Sequence, residues 1–131
     1  MTTNDTATSA PRWVGAAFEA IDELVFDDRF SCFTPDTDMY FGAEHVHGRA
    51  AIEKFFVRIV EPLDIVHRVV ESWTVSATTI VRGEADMAKK TSPDEVVTAP
   101  FIHIYEMADT DVPTIRTLHV CAGPLATDKV L

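Results

Sequence analysis

The sequence predicts an α+β domain, with helices gathered at the N-terminal end and long strands after them. Three observations carry that prediction. Before residue 61, apolar residues recur at spacings of three and four, the period of a helix with one buried face. From residue 64 the period changes to two, in segments rich in Val, Ile, Thr and aromatic residues. Short clusters of turn residues separate those segments, and helices followed by strands, rather than alternating with them, is the α+β order.

Residues 1–10 are rich in Thr, Ala and Asn without apolar periodicity and read as a mobile tail, leaving 11–131 as one domain. Ser9 and Pro11 signal a helix start. Val14, Ala17, Phe18, Ile21, Leu24 and Val25 then form one apolar stripe, which predicts a helix over 11–27 with Glu19, Asp22 and Glu23 turned away. A short second helix over 28–33 carries Phe30 and Phe33. Thr34-Pro35-Asp36-Thr37 is turn chemistry, 38–42 a short strand, and Gly42 to Gly48 a loop. A third helix over 49–60 buries Ile52, Phe55, Phe56 and Ile59 and keeps Glu53, Lys54 and Arg58 wet. Pro62 stops it by removing a helical donor and crowding the preceding turn. Strands over 65–75, 79–89, 96–107 and 114–122 read as a meander of antiparallel hairpins. A curved antiparallel sheet wrapped around helices leaves a pocket in its mouth, and such a pocket is the default binding site.

Composition narrows the partners. The 131 residues carry 11 Lys and Arg against 21 Asp and Glu, a net charge of −10. Nucleic acid and anionic lipid are both drawn by clustered cations, so neither is expected here. No stretch has the roughly 18 consecutive apolar residues of a membrane span. The N-terminal residues have no basic segment followed by an apolar one, so no export signal is read and the expected compartment is the cytoplasm. Cys32 and Cys121 have no metal-ligand spacing and read as thiols, buried as small hydrophobes. Gly83 and Gly123 belong to no phosphate-binding loop, and no nucleophile-elbow motif occurs. No cofactor is expected.

Four local features, in order, resemble the SnoaL-like branch of the nuclear transport factor 2-like superfamily over residues 11–124. They are Asp27-Asp28-Arg29-Phe30 after the first helix, Phe33 to Gly42 leading into the short strand, Gly48 to Phe56 opening the next helix, and His67 six residues before Trp73. The resemblance implies a cone-shaped α+β barrel: three N-terminal helices packed on a strongly curved antiparallel sheet around a pocket. The superfamily includes ketosteroid isomerases, scytalone dehydratase, a dehydrochlorinase, limonene epoxide hydrolase and polyketide cyclases, together with binding modules that catalyse nothing. Fold alone therefore does not choose among them.

The candidate chemistry centres on His67. The dehydratase and dehydrochlorinase are similar in carrying a histidine at the start of this strand as a general base, oriented by an aspartate at the end of the first helix. Asp28 is the match for that aspartate, with Asp27 beside it. An imidazole titrates near pH 6.5 and a carboxylate fixes its tautomer, so the pair suits proton transfer beside a carbonyl or a leaving group. Alternation puts Val69, Glu71 and Trp73 on the face of His67. It also puts Phe101, His103 and Tyr105 on one inward face. His103 stands near the place where ketosteroid isomerases carry an acid that stays neutral in an apolar site. Their tyrosine corresponds to Ala20 here and their aspartate base to Tyr40-Phe41, so that mechanism is not implied. Arg82, Glu84, Asp86 and Arg116 match the epoxide hydrolase arrangement poorly.

Tyr40 and Tyr105 are candidate hydroxyl donors. Phe18, Phe55, Phe101, Trp73 and Val69 are candidate walls for a small apolar ligand, cyclic ones included. His45 and His47 invite a metal, but only Glu44 stands near to complete a site, and none is expected. His119 has no assigned role. Pro100, Ile102 and Ile104, facing outward, suit a homodimer through the outer sheet face. The reading is a cofactor-independent dehydratase, isomerase or cyclase using His67, Asp28 and His103; the alternative is a ligand-binding or dimeric interaction module without turnover.

Overall fold

The computed structural model describes residues 10–122, so the tail reading for residues 1–10 falls, Ala10 apart, outside the described residues. Helix α1 (Arg12–Glu23) buries Val14, Ala17, Phe18, Ala20 and Ile21. It ends about a turn before residue 27. Leu24 enters the left-handed region at φ 56° and ψ 42°, and the N–H groups of Leu24 and Val25 turn back to the carbonyls of Ile21 and Ala20. That is a helix-terminating geometry usually given to glycine. Leu24 and Val25 continue the apolar stripe, so periodicity alone cannot reveal the stop.

The expected second helix is only a 3-10 turn, Asp28–Phe30, capped by the Asp27 carboxylate, which accepts from the Arg29 N–H at 3.0 Å. Thr34-Pro35 lies just beyond it, and the residue before a proline is pushed out of the helical region. Among the described residues, two α-helices and this one 3-10 turn therefore precede the long strands, in place of the three helices expected. Strand β1 (Asp38–Phe41) and strand β2 (Glu44–His47) form a hairpin where a loop was expected. Gly42 supplies the positive φ, 60°, that such a tight two-residue connection needs at its first position.

Helix α2 (Arg49–Val60) matches its expected span and buries Ile52, Phe55, Phe56 and Val60, while Ile59 is only partly covered. Strands β3 (Leu63–Val75), β4 (Thr78–Lys89), β5 (Val97–Met107) and β6 (Ile115–Ala122) form the expected antiparallel meander. The six-stranded sheet runs β2-β1-β6-β5-β4-β3, and β1 pairs with β6 in parallel, so the sheet is mixed rather than wholly antiparallel. Thr37 fixes this junction: it is fully buried, and its hydroxyl donates to the Ile115 carbonyl at 2.6 Å.

Both helices pack on one face of the sheet, where Ile21, Ile52 and Phe56 join Val81, Phe101 and Leu118 in one core. Along β3 the pairing with β4 slips between Val69 and Glu71. One extra residue in a strand reverses which face the following side chains take. Ile65, His67 and Val69 therefore lean toward the helices, and beyond the slip Ser72 is the buried residue while Trp73 is 43% exposed. Among the described residues no helix is long and apolar enough to cross a membrane.

Candidate functional site

The inner face of the sheet and the two helices enclose a cavity of about 300 Å³. Its walls include Ile21 of α1, Phe56 and Val60 of α2, Ile65 of β3, Phe101 of β5 and Val120 of β6. Among the described residues, the polar side chains on its wall are His67 and His103. A wider, open groove of about 470 Å³ lies beyond Val60, Leu63 and Ile65; it reaches Asp22 but neither histidine.

His67 sits at the junction of α1 and β3, and its carboxylate partner is Asp22. Nδ1 and Asp22 Oδ1 are 2.5 Å apart, and the His67 backbone N–H donates to Asp22 Oδ2 at 3.0 Å. Both side chains are well shielded, 13% and 15% exposed. A carboxylate only accepts, so in the neutral ring the proton sits on Nδ1 and the lone pair on Nε2. The imidazole is held flat against Phe18, with centroids 4.8 Å apart and planes at 14°, and meets the edge of Phe101 at 5.3 Å. The arrangement can take a proton from a ligand in the cavity and share the resulting charge with Asp22.

Asp28 does not play the part expected of it. It is exposed at the start of the 3-10 turn. Because α1 ends at Glu23, the carboxylate at the end of the helix is Asp22. The sequence held a signal for this: Val14, Phe18 and Asp22 lie four apart, on one helix face. The expectation that Asp22 faces away came from grouping it with Glu19 and Glu23.

His103 lies deeper. It is 5% exposed, between Phe18 and Phe101, and its Nδ1 is 3.0 Å from the Tyr105 hydroxyl. Burial first, and the nearby His67 second, hold its pKa far below the ordinary value, down to about 3. It is a neutral ring. Tyr105 is 2% exposed, bonded to His103 and edge-on to Trp13. It is not a direct ligand donor, and burial raises its pKa.

The other expected residues divide. Phe101 lines the cavity. Phe18 acts from behind as the platform for His67. Phe55 packs on Phe41 and Phe56, and it is Phe56 that reaches the cavity. Val69 packs against the core beyond the cavity wall. Trp73 and Tyr40 are on the opposite face of the sheet: the slip in β3 turns Trp73 out, and Tyr40 stacks between His45 and His119 at 4.5 and 5.2 Å. Glu71 also faces out, paired with Arg82 at 2.6 Å. Sequence reasoning missed Ile21, Phe41, Val60, Ile65 and Met87 as wall residues, for an apolar residue on an inward face reads the same whether it meets a void or a neighbour.

Gly83 has a role that no loop motif suggested. A Cβ there would overlap the Arg68 carbonyl oxygen and the Phe101 ring, so glycine is what lets Phe101 lie across β4 beside the two histidines. His45 Nε2 and His47 Nδ1 both meet Asp38 Oδ1, at 2.7 and 2.8 Å, in the open on the outer face. Among the described residues no group of three His, Cys, Asp or Glu side chains is arranged to hold a metal ion. Cys32 is buried and Cys121 exposed, both free, and burial pushes the Cys32 thiol up to about 12.

No family model and no curated protein matches the chain. Solved structures do. TerC co-crystallised with polyporic acid is similar at a TM-score of 0.74 and 14% identity, over 90% of this chain and 94% of that one. A protein named as a SnoaL-like polyketide cyclase from Jannaschia sp. CCS1 gives 0.74 and 14%, over 89% and 87%. An LEH-like epoxide hydrolase from M. tuberculosis gives 0.72 and 14%, over 94% and 89%. At these identities the likeness is one of fold. Helix, short hairpin, helix and four-stranded meander together give this chain the nuclear transport factor 2-like fold.

Proposed function

We propose that the chain is a cytoplasmic, cofactor-independent enzyme that moves a proton on a small apolar ligand bearing a carbonyl or hydroxyl group. The reaction class is dehydration, isomerisation or polyketide-type cyclisation. The observation that carries the reading is the His67–Asp22 pair: a shielded imidazole, doubly anchored to one carboxylate, on the wall of a cavity lined mostly by apolar side chains. His67 is the base through Nε2, Asp22 orients it and balances the imidazolium, and His103 is the second polar group that meets the ligand. The cavity volume suits a ligand of one or two rings. TerC, of the same fold, was crystallised with polyporic acid, and other proteins of the fold are named as cyclases and an epoxide hydrolase.

The test is a thermal-shift screen of small carbonyl and hydroxyl compounds, followed by turnover of those that bind. His67→Ala is expected to lower kcat by roughly 10²–10⁴-fold, the usual worth of a positioned base, in a protein whose fold is retained by circular dichroism. Turnover that survives the substitution overturns the mechanism. Binding without turnover by the unaltered protein gives the alternative, a ligand-binding module.

The same reading includes a homodimer through the outer face. In register across the sheet, His45, Tyr40, His119, Ile104, Ile80 and Trp73 form one row from edge to edge. Such a row of aromatic and aliphatic groups suits a protein partner better than water. Light scattering is expected to give twice the chain mass; a monomer at micromolar concentration counts against it.

A further inference from the structure

Resting on the reading of this cavity as a ligand site, we propose that Tyr105 is a positioning residue. It holds His103 in the tautomer with its proton on Nε2, so that the inner wall offers an N–H donor to a neutral carbonyl or hydroxyl oxygen of the ligand.

The reasoning is a count of donors and acceptors. The Tyr105 oxygen and His103 Nδ1 are 3.0 Å apart, both buried. Two arrangements satisfy that contact. In one, Nδ1 carries the proton and donates to the phenol oxygen. The phenol O–H is then left without an acceptor, because the described residues offer Tyr105 no side-chain or backbone bond besides His103. A desolvated, unpaired hydroxyl is expensive. In the other, the phenol donates to the Nδ1 lone pair. Every group in the contact is then satisfied, and the proton of the neutral ring must be on Nε2.

Nε2 has no protein partner among the described residues, yet no buried side-chain nitrogen or oxygen there is left both sealed and unpaired. The nitrogen therefore reaches open space, and the space His103 borders is the cavity. The ring cannot escape the choice by charging, since burial holds it neutral. Nor can Tyr105 swing away: Trp13 meets its ring edge-on at 4.9 Å, and alternation along β5 keeps Tyr105 and His103 on one face.

The two histidines of the cavity are thereby given opposite sense. Asp22 accepts from Nδ1 of His67 and leaves its Nε2 a lone pair. Tyr105 donates to Nδ1 of His103 and leaves its Nε2 a proton. A ligand meets an acceptor from one ring and a donor from the other, which is what proton removal beside a polarised carbonyl requires. Among the described residues no Lys or Arg lines the cavity, so none there offers a carboxylate ligand a cationic partner.

The test is nitrogen NMR of the full chain with ¹⁵N-labelled histidine at pH 7, the two cavity rings assigned with His67→Gln. In the unaltered protein His103 is expected to be protonated at Nε2, with its Nδ1 resonance shifted by the phenol hydrogen bond. Tyr105→Phe is expected to move that Nδ1 resonance toward an unbonded ring nitrogen. A residue that merely filled space would leave the resonance in place. A proton found on Nδ1 of His103 in the unaltered protein overturns the proposal, and so does an Nδ1 resonance that Tyr105→Phe does not move. If Tyr105→Phe fails to fold, the tautomer of the unaltered protein decides alone. No substrate is needed, so the catalytic reading of His67 can fail while this one stands.

Discussion

The two faces of the sheet carry the same chemical groups and use them differently. Each pairs histidine with an aspartate: one ring, His67, with Asp22 inside, and two, His45 and His47, with Asp38 outside. Each has a tyrosine beside a histidine, Tyr105 with His103 inside and Tyr40 with His45 and His119 outside. The histidine–aspartate distances hardly differ, 2.5 Å inside against 2.7 and 2.8 Å outside. The surroundings do. His45 and His47 are 49% and 60% exposed, so water competes for every bond they make. Hydrogen bonds from His47 and then His45 hold the Asp38 carboxyl below its ordinary pKa, but exposed pairs of this kind contribute little. Inside, His67 and Asp22 are only 13% and 15% exposed, and burial holds His103 neutral at ordinary pH. Residue type and spacing do not make a site; a wall of apolar groups around them does.

That contrast can be broken in three places. The largest effect is expected from matched substitutions in the two aspartates. Asp22→Asn should lower kcat about 10²-fold or more, since an amide neither fixes the His67 tautomer nor stabilises its charge. Asp38→Asn should leave kcat unchanged. Equal losses from both, in steady-state kinetics, would abolish the distinction.

The next concerns acid. The unfolded chain takes up a proton on His103 near pH 6.5, whereas the folded chain refuses it until about pH 3. The unfolded state binds more protons in that window, so stability is full above it and falls as pH drops through it. By pH 4 the loss from this one ring is about 3 kcal/mol. His103→Gln should lose less stability between pH 7 and pH 4 in denaturant titrations. Equal losses in the two proteins would mean that the ring is reached by protons more readily than its burial implies.

The smallest effect is expected on the outer face, where Asp38→Asn should cost under about 1 kcal/mol of unfolding free energy at pH 7. A loss of several kcal/mol would show that the outer pair is structural after all.

Much of the fold was legible because it rests on local periodicity. The helix over Arg49–Val60 and the four long strands stand within two residues of their expected bounds, since a buried face imposes its period on the sequence. The misread elements have common causes. Leu24 turns left-handed although nothing in its type asks for it. The 28–33 segment carries two phenylalanines at helical spacing but lies against Thr34-Pro35. Glu44–His47 is a strand because Asp38–Phe41 is there to pair with it. In the site, His67, His103 and Phe101 were legible because alternation sets their face. Trp73 was not, because the slip between Val69 and Glu71 has no signature in the residues themselves.

The sequence by itself determined the α+β order, the net charge of −10, and the strands whose inward faces carry His67 and His103. Those follow from residue type and period, which act over a few neighbours. Only the tertiary structure decided that Asp22 rather than Asp28 meets His67, that Tyr105 serves His103, and that Tyr40 and Trp73 lie on the other side of the sheet. Each depends on where a helix stops or a strand slips by one residue. Such small backbone events are settled by packing across the whole core, and they redirect every side chain beyond them.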